Sequence, residues 1–160
     1  RQGQASDPTR VPAQREYFLA CLQVPYLDCL VITPREKPLA IEIRKGKNWK
    51  LIGNCGVFEV DSVNGSAELG IMIGDKSEWN KGYGSEVMSL LVRHCFETLN
   101  LNRAFLKVYT ENIRAVRSYE KAGFVLEGRL REAVYKHGKY DDVLIMSVLR
   151  SEWTSRNKEK

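Results

Sequence analysis

The sequence lacks most of the patterns that mark out specialised function classes. No apolar run approaches the roughly 20 residues a membrane-spanning helix needs, and residues 1–10 are polar, without a signal-peptide core. A soluble, cytoplasmic protein without a membrane partner is therefore predicted. The four cysteines, Cys21, Cys29, Cys55 and Cys95, make no C-x-x-C pair. With only two histidines, His94 and His137, there is no zinc-type spacing, and no metal is expected. Cys55 falls in a strand-like run and Cys95 on an apolar helical stripe, so both read as reduced, buried thiols. There is no internal repeat, no low-complexity tract and no recognised nucleic-acid motif, so no nucleic-acid partner is predicted.

What remains is an ordinary globular balance. The chain has 160 residues, 43% hydrophobic and 28% charged, enough for one domain around one core. A net charge of +5 and a pI near 9.0 suit a polyanionic ligand, either nucleic acid or a phosphorylated cofactor. The densest basic run, Arg44, Lys45, Lys47 and Lys50, surrounds a turn and reads as a solvated hairpin.

Periodicity divides the chain further. Residues 1–10 read as a flexible tail. Residues 12–23 have helical spacing, with Tyr17, Phe18, Cys21 and Leu22 on one side, and residues 29–33 form a short strand. Strands follow at 39–44, 49–60 and 67–74, the last two joined through Asn64-Gly65, a strong hairpin signal. A helix over 82–99 places Val87, Met88, Leu91, Val92, Cys95, Phe96 and Leu99 on one face. A strand at 103–110 leads to a helix capped by Asn112 and ended by Gly123. Two strands, 124–135 and 140–149, close the domain, and residues 154–160 read as a polar tail. The expected class is α/β, with a mixed, mostly antiparallel sheet flanked by helices.

The most informative segment is Trp79-Asn80-Lys81-Gly82-Tyr83-Gly84-Ser85, between a strand and a helix. Two glycines one residue apart let the backbone turn its N–H groups toward a phosphate at a helix N-terminus. A Walker loop is excluded, because no G-x-x-x-x-G-K-S/T string exists. The dinucleotide fingerprint lacks its third glycine, since Ser85-Glu86-Val87 follows Gly84.

Together with Glu68-Leu69-Gly70-Ile71-Met72-Ile73 before it, this segment resembles the acetyl-CoA motif of the GNAT superfamily, Q/R-x-x-G-x-G/A, with Trp79 in first position. Residues 112–124 resemble the family's second motif, N-x-x-A-x-x-x-Y-x-x-x-G-F. Glu127-Gly128-Arg129-Leu130-Arg131-Glu132 and Lys139-Tyr140-Asp141-Asp142 resemble the closing strand pair of the branch that acetylates ribosomal proteins and spermidine. The resemblance covers residues 38–153 and implies an N-acetyltransferase domain over 11–153. The strand and helix that open family members are missing or diverged here.

Several expectations follow from the resemblance. Acetyl-CoA is the co-substrate and a primary amine the acceptor: a protein N-terminus, a polyamine, an amino sugar or an aminoglycoside. The acetyl group passes by direct attack in a ternary complex, and homodimers are common in that branch. Such a reaction needs a base, because an alkylammonium with a pKa of ~10.4 has no free lone pair. It needs a donor to the thioester oxygen and a proton for the departing thiolate. Glu68, eleven residues before Trp79, is the implied base, and otherwise reads as a strand glutamate paired with a lysine. Tyr119 is the implied acid, and otherwise a packed aromatic. Met72 and Gly74 are implied to hold pantetheine through their main chain, with the Met72 amide on the thioester oxygen. Asn80, Lys81, Gly82, Tyr83, Gly84 and Ser85 hold the diphosphate, and Asn112 joins cap and cofactor contact. Two alternatives stay open: a non-catalytic acyl-CoA-binding regulatory domain on the same fold, and a basic nucleic-acid module.

Overall fold

A computed structural model describes residues 38–158. The tail expected at 1–10, the helix at 12–23, the strand at 29–33, and Cys21 and Cys29 lie outside the described residues. Strands β1 (Leu39–Lys45), β2 (Asn48–Asp61) and β3 (Ser66–Ile73) form an antiparallel meander. Asp61 organises the second turn, its carboxylate accepting the Val63 and Asn64 amides at 2.9 and 2.8 Å. Gly65 completes that turn at φ +63°, a conformation that favours glycine.

Helix α1 (Tyr83–Arg93) crosses to β4 (Arg103–Tyr109), and α2 (Ile113–Ala122) leads to the hairpin of β5 (Val125–Lys136) and β6 (Lys139–Leu149). The sheet order is β1-β2-β3-β4-β6-β5. β3 and β4 pair in parallel over three residue pairs, from Ser66–Arg103 to Glu68–Phe105. That short pairing positions the site, because the rest of β3 is left without a neighbour on its β4 side.

Alternation along β3 sends Ala67 and Leu69 into the core with Val87, Met88, Leu91 and Val92 of α1. Glu68, Gly70 and Met72 therefore point to the opposite face. Each fully buried aliphatic side chain in this layer contributes about 1.5–3 kcal/mol. Cys55 and Cys95 lie in the same core as free, buried thiols. Burial pushes both thiols up to about 12, which keeps them protonated and unreactive.

Two expected features differ from the structure. The helix expected over 82–99 leaves α-geometry after Arg93 and continues as a wide π turn, His94–Thr98. The extra residue in that turn rotates the stripe, so Leu99 is 38% exposed and Leu101 is buried instead. The polar tail expected at 154–160 is helical up to residue 158 as part of α3 (Arg150–Lys158). Three contacts hold it: Glu152 accepts the Leu149 amide, Trp153 packs on Phe96, and Arg156 donates to the Gly123 carbonyl. Gly123 ends α2 at φ +101° as a left-handed cap.

Candidate functional site

Where β3 and β4 part, α1 and α2 close over a cavity of about 630 Å³. It is lined by residues 71–73 of β3, residues 78–85 at the start of α1, and one face of α2 from Asn112 to Lys121. Of the residues singled out in the sequence, Met72, Trp79, Asn80, Lys81, Gly82, Tyr83, Gly84, Ser85, Asn112 and Tyr119 meet here. Glu68 and Gly74 do not line it.

The loop entering α1 has two left-handed residues, Asn80 at φ +62° and Gly82 at φ +91°. Alternating handedness turns consecutive amides to one side, and the first-turn amides of Tyr83, Gly84 and Ser85 have no acceptor within the helix. Gly84 lets α1 start close against α2, because a Cβ there would lie 3.1 Å from the Ser118 hydroxyl. The Ser85 and Ser118 hydroxyls bond at 2.9 Å. Asn112 caps α2 by accepting the Ala115 amide at 3.2 Å.

Trp79 is fixed on two sides. Its Nε1 donates to the Ile73 carbonyl at 2.8 Å, and the Arg114 guanidinium lies 3.4 Å from its ring centroid. Glu78, just before it, was not singled out in the sequence, yet its side chain is 3% exposed. It accepts Lys81 at 2.7 Å and Lys50 at 3.1 Å, with Lys45 at 3.4 Å. Lys50 also reaches Asp75 at 2.7 Å. The Lys81 bond, then those to Lys50 and Lys45, hold the Glu78 carboxyl at about 2. The basic run at 44–50 is thus a hairpin whose Lys45 and Lys50 are drawn onto a carboxylate beside the loop. Nothing local in the sequence signals this, because the partners are 28 residues or more apart.

The strand wall differs from what the resemblance implied. Gly74 donates its amide to the Ile52 carbonyl at 2.9 Å. Main-chain groups of an antiparallel pair alternate between the strand's two edges. The amides of Gly70, Met72 and Gly74 therefore face β2, while those of Ile71 and Ile73 face the opening. Met72 lines the cavity with its neighbours, but its N–H is committed to β2, and Gly74 lies outside. Sequence reading missed Ile71 and Ile73 because this parity depends on the pairing partner.

Tyr119 has a buried ring, 6.1 Å from that of Phe124, and its hydroxyl has no protein partner among the described residues. Burial raises its pKa, so the hydroxyl stays protonated. Glu68 lies on the opposite face of the sheet, 20% exposed, with one oxygen 2.9 Å from Lys107. That bond, with the charges of Glu68 and Glu59, raises the Lys107 pKa. Among the described residues no group of three or more His, Cys, Asp or Glu is placed to hold a metal. No helix among them is long and apolar enough to cross a membrane.

Comparison with known proteins places the chain in a family. Residues 6–125 match the acetyltransferase (GNAT) domain family. The chain is 36% identical over 104 residues to the N-acetyltransferase p20 of Bacillus licheniformis, covering 65% of this chain and 58% of the relative. It is 36% identical over 107 residues to the spermidine N(1)-acetyltransferase of Vibrio cholerae, covering 67% and 61%. It thus spans about three fifths of the length of these curated relatives. Among solved structures, the spermidine N-acetyltransferase of Vibrio cholerae in complex with CoA and spermine superposes with a TM-score of 0.65 at 32% identity, covering 73% of this chain and 68% of that one.

Proposed function

Because the chain belongs to the GNAT acetyltransferase domain family, we propose that it transfers the acetyl group of acetyl-CoA to a primary amine. The observation that carries this reading is the unpaired edge of β3 ending beside an amide-rich helix start. An extended pantetheine arm can add to that edge as a strand does, with the diphosphate on the amides of residues 80–85.

In this reading the Ile71 and Ile73 edge holds the pantetheine and polarises the thioester oxygen, in place of Met72 and Gly74. The acceptor comes from the face that carries Glu68. The Glu68 oxygen not paired with Lys107 takes a proton from the ammonium through a water. The freed amine attacks the carbonyl carbon, a C–N bond forms, and the C–S bond breaks. Tyr119 then gives its proton to the departing thiolate, the nitrogen sheds its second proton through solvent to the Tyr119 phenolate as the amide forms, and Glu68 releases its proton to water. No step needs a metal ion in this scheme. The spermidine enzymes among the relatives make polyamines the first acceptors to test. The proposed setting is the cytoplasm, consistent with the free thiols of Cys55 and Cys95. A homodimer is supported by the exposed Val125, Leu126, Leu130 and Tyr135 on edge strand β5, and light scattering checks it.

The test is thiol release from acetyl-CoA with a panel of polyamines, amino sugars, aminoglycosides and peptides with free N-termini, with product mass measured. Release that depends on one amine class, with a product one acetyl group heavier, is the expected result. CoA binding without release for any amine would leave a non-catalytic acyl-CoA-binding domain.

A further inference from the structure

Gly56 on β2 and Gly70 on β3 stand opposite each other in the interior of the sheet. Glycine weakens a strand interior and marks a place where another group comes close. The group here is the Phe58 ring. A Cβ at Gly56 would lie 2.7 Å from the Phe58 Cζ, and one at Gly70 would lie 2.9 Å from its Cε2. The ring therefore lies over bare backbone, on the face that carries Glu68, its cross-strand partner. Phe105 flanks Glu68 from the β4 side, but its ring already carries the Arg103 guanidinium at 4.7 Å. The Phe58 ring is half-buried, and among the described residues no cation is placed on it. Charge on this face is small. Glu68 and Glu59 both act on Lys107, the first through a bond of 2.9 Å, so two carboxylates and one ammonium leave one net negative charge. Beside and beyond Glu68, toward the end of β3, the face is made of Phe58, Gly56, Gly70, Asn54 and Met72, none of them charged.

We infer that Phe58 selects the acceptor, and that the acceptor is an amine with one ammonium on an uncharged, apolar body. This rests on the reading of the protein as an acetyltransferase whose acceptor approaches from the Glu68 face. An ammonium between a carboxylate and the face of an aromatic ring is attracted by both. One net negative charge matches one ammonium, and Phe58 with the exposed Met72 gives the body an apolar contact. A second ammonium on the same molecule would lie over uncharged residues, with no partner to offset its lost hydration.

The experiment compares two acceptors of equal chain length, hexylamine with one ammonium and hexamethylenediamine with two, by thiol release at saturating acetyl-CoA. Wild type is expected to favour hexylamine in kcat/KM by about tenfold. Phe58→Leu keeps an apolar side chain and removes the aromatic face. It raises the hexylamine KM about fivefold, with kcat and the acetyl-CoA KM held. Phe58→Tyr keeps the wild-type KM. A ring that only packs would change the melting temperature and leave the acceptor KM where it was. Asn54→Asp puts a carboxylate in the row opposite Met72 and raises the diamine severalfold relative to hexylamine. A hexylamine KM that Phe58→Leu leaves unchanged, or a wild-type preference for the diamine, overturns the inference and leaves the acetyltransferase reading intact. Release with neither probe but with another amine of the panel does the same. Absence of release with every amine overturns the acetyltransferase reading itself.

Discussion

Glu68 and Glu78 are both glutamates paired with lysines, ten residues apart, the first on β3 outside the cavity and the second lining it. Glu78 is enclosed by three lysines, shut off from solvent, and locked in its ionised form. Glu68 has one lysine, Lys107, on one oxygen and lies 20% exposed on the opposite face of the sheet. The first arrangement cross-links the β1–β2 hairpin to the loop that enters α1, and a carboxylate so occupied has nothing left to offer a reactant. The second is the carboxylate proposed to exchange a proton with a bound amine. Number of partners and side of the sheet, rather than residue type, separate the structural carboxylate from the one proposed as base.

The largest expected effect comes from breaking the chemical side. Glu68→Gln should lower kcat by about 10²–10⁴-fold near neutral pH, the usual value of general-base catalysis, and by less at high pH, where free amine exists without help. A rise in acceptor KM with kcat unchanged would instead give Glu68 a purely electrostatic role. Tyr119→Phe should also lower kcat, with CoA affinity held, because the hydroxyl is lost and the packed ring stays. Unchanged turnover, with chemistry limiting, would reduce Tyr119 to packing.

Gly53→Ala tests the strand wall. A Cβ at Gly53 would stand 2.1 Å from the Met72 carbonyl, a main-chain atom that cannot swing aside. A destabilisation of about 1–3 kcal/mol by denaturant titration is expected, the usual cost of overpacking. A variant as stable as wild type would mean that β2 and β3 separate there at little cost, and that the parity of β3 is not fixed by this contact.

The smallest effect sharpens the structural side. The Glu78 carboxyl is depressed from 4.5 to about 2, so the stability it contributes is present above the unfolded value and is lost as pH falls from 4.5 toward 2. Glu78→Gln should flatten the acid limb of the stability curve across that window and raise the acetyl-CoA KM severalfold, with kcat unchanged. An acid limb identical to wild type would reduce the three ion pairs to surface decoration.

Much of this was legible in the sequence, and the remainder was hidden for identifiable reasons. The strands from residue 39 onward, the Asn112 cap, the Gly123 stop and the loop residues 79–85 are local patterns, and the chain forms them where those patterns lie. Three features depend on partners far away in sequence. Ile71 and Ile73 gain a free edge because Gly74 bonds to Ile52 and β4 turns away after Phe105. Glu78 is buried because Lys45 and Lys50 reach it from another hairpin. Leu99 leaves the core because a π turn intervenes.

The central claim is that the left-handed loop at Gly82 seats the diphosphate of acetyl-CoA, and calorimetric titration of CoA into wild type and Gly82→Asp tests it most directly. Gly82 sits at φ +91° with open space where its Cβ would be, so aspartate strains the turn and adds a negative charge beside the amides without a clash. The prediction is saturable one-to-one binding by wild type and a loss of about a hundredfold or more in the variant, with melting temperatures showing that both are folded. Equal CoA affinity in the two folded proteins would contradict the placement of the cofactor and the account built on it.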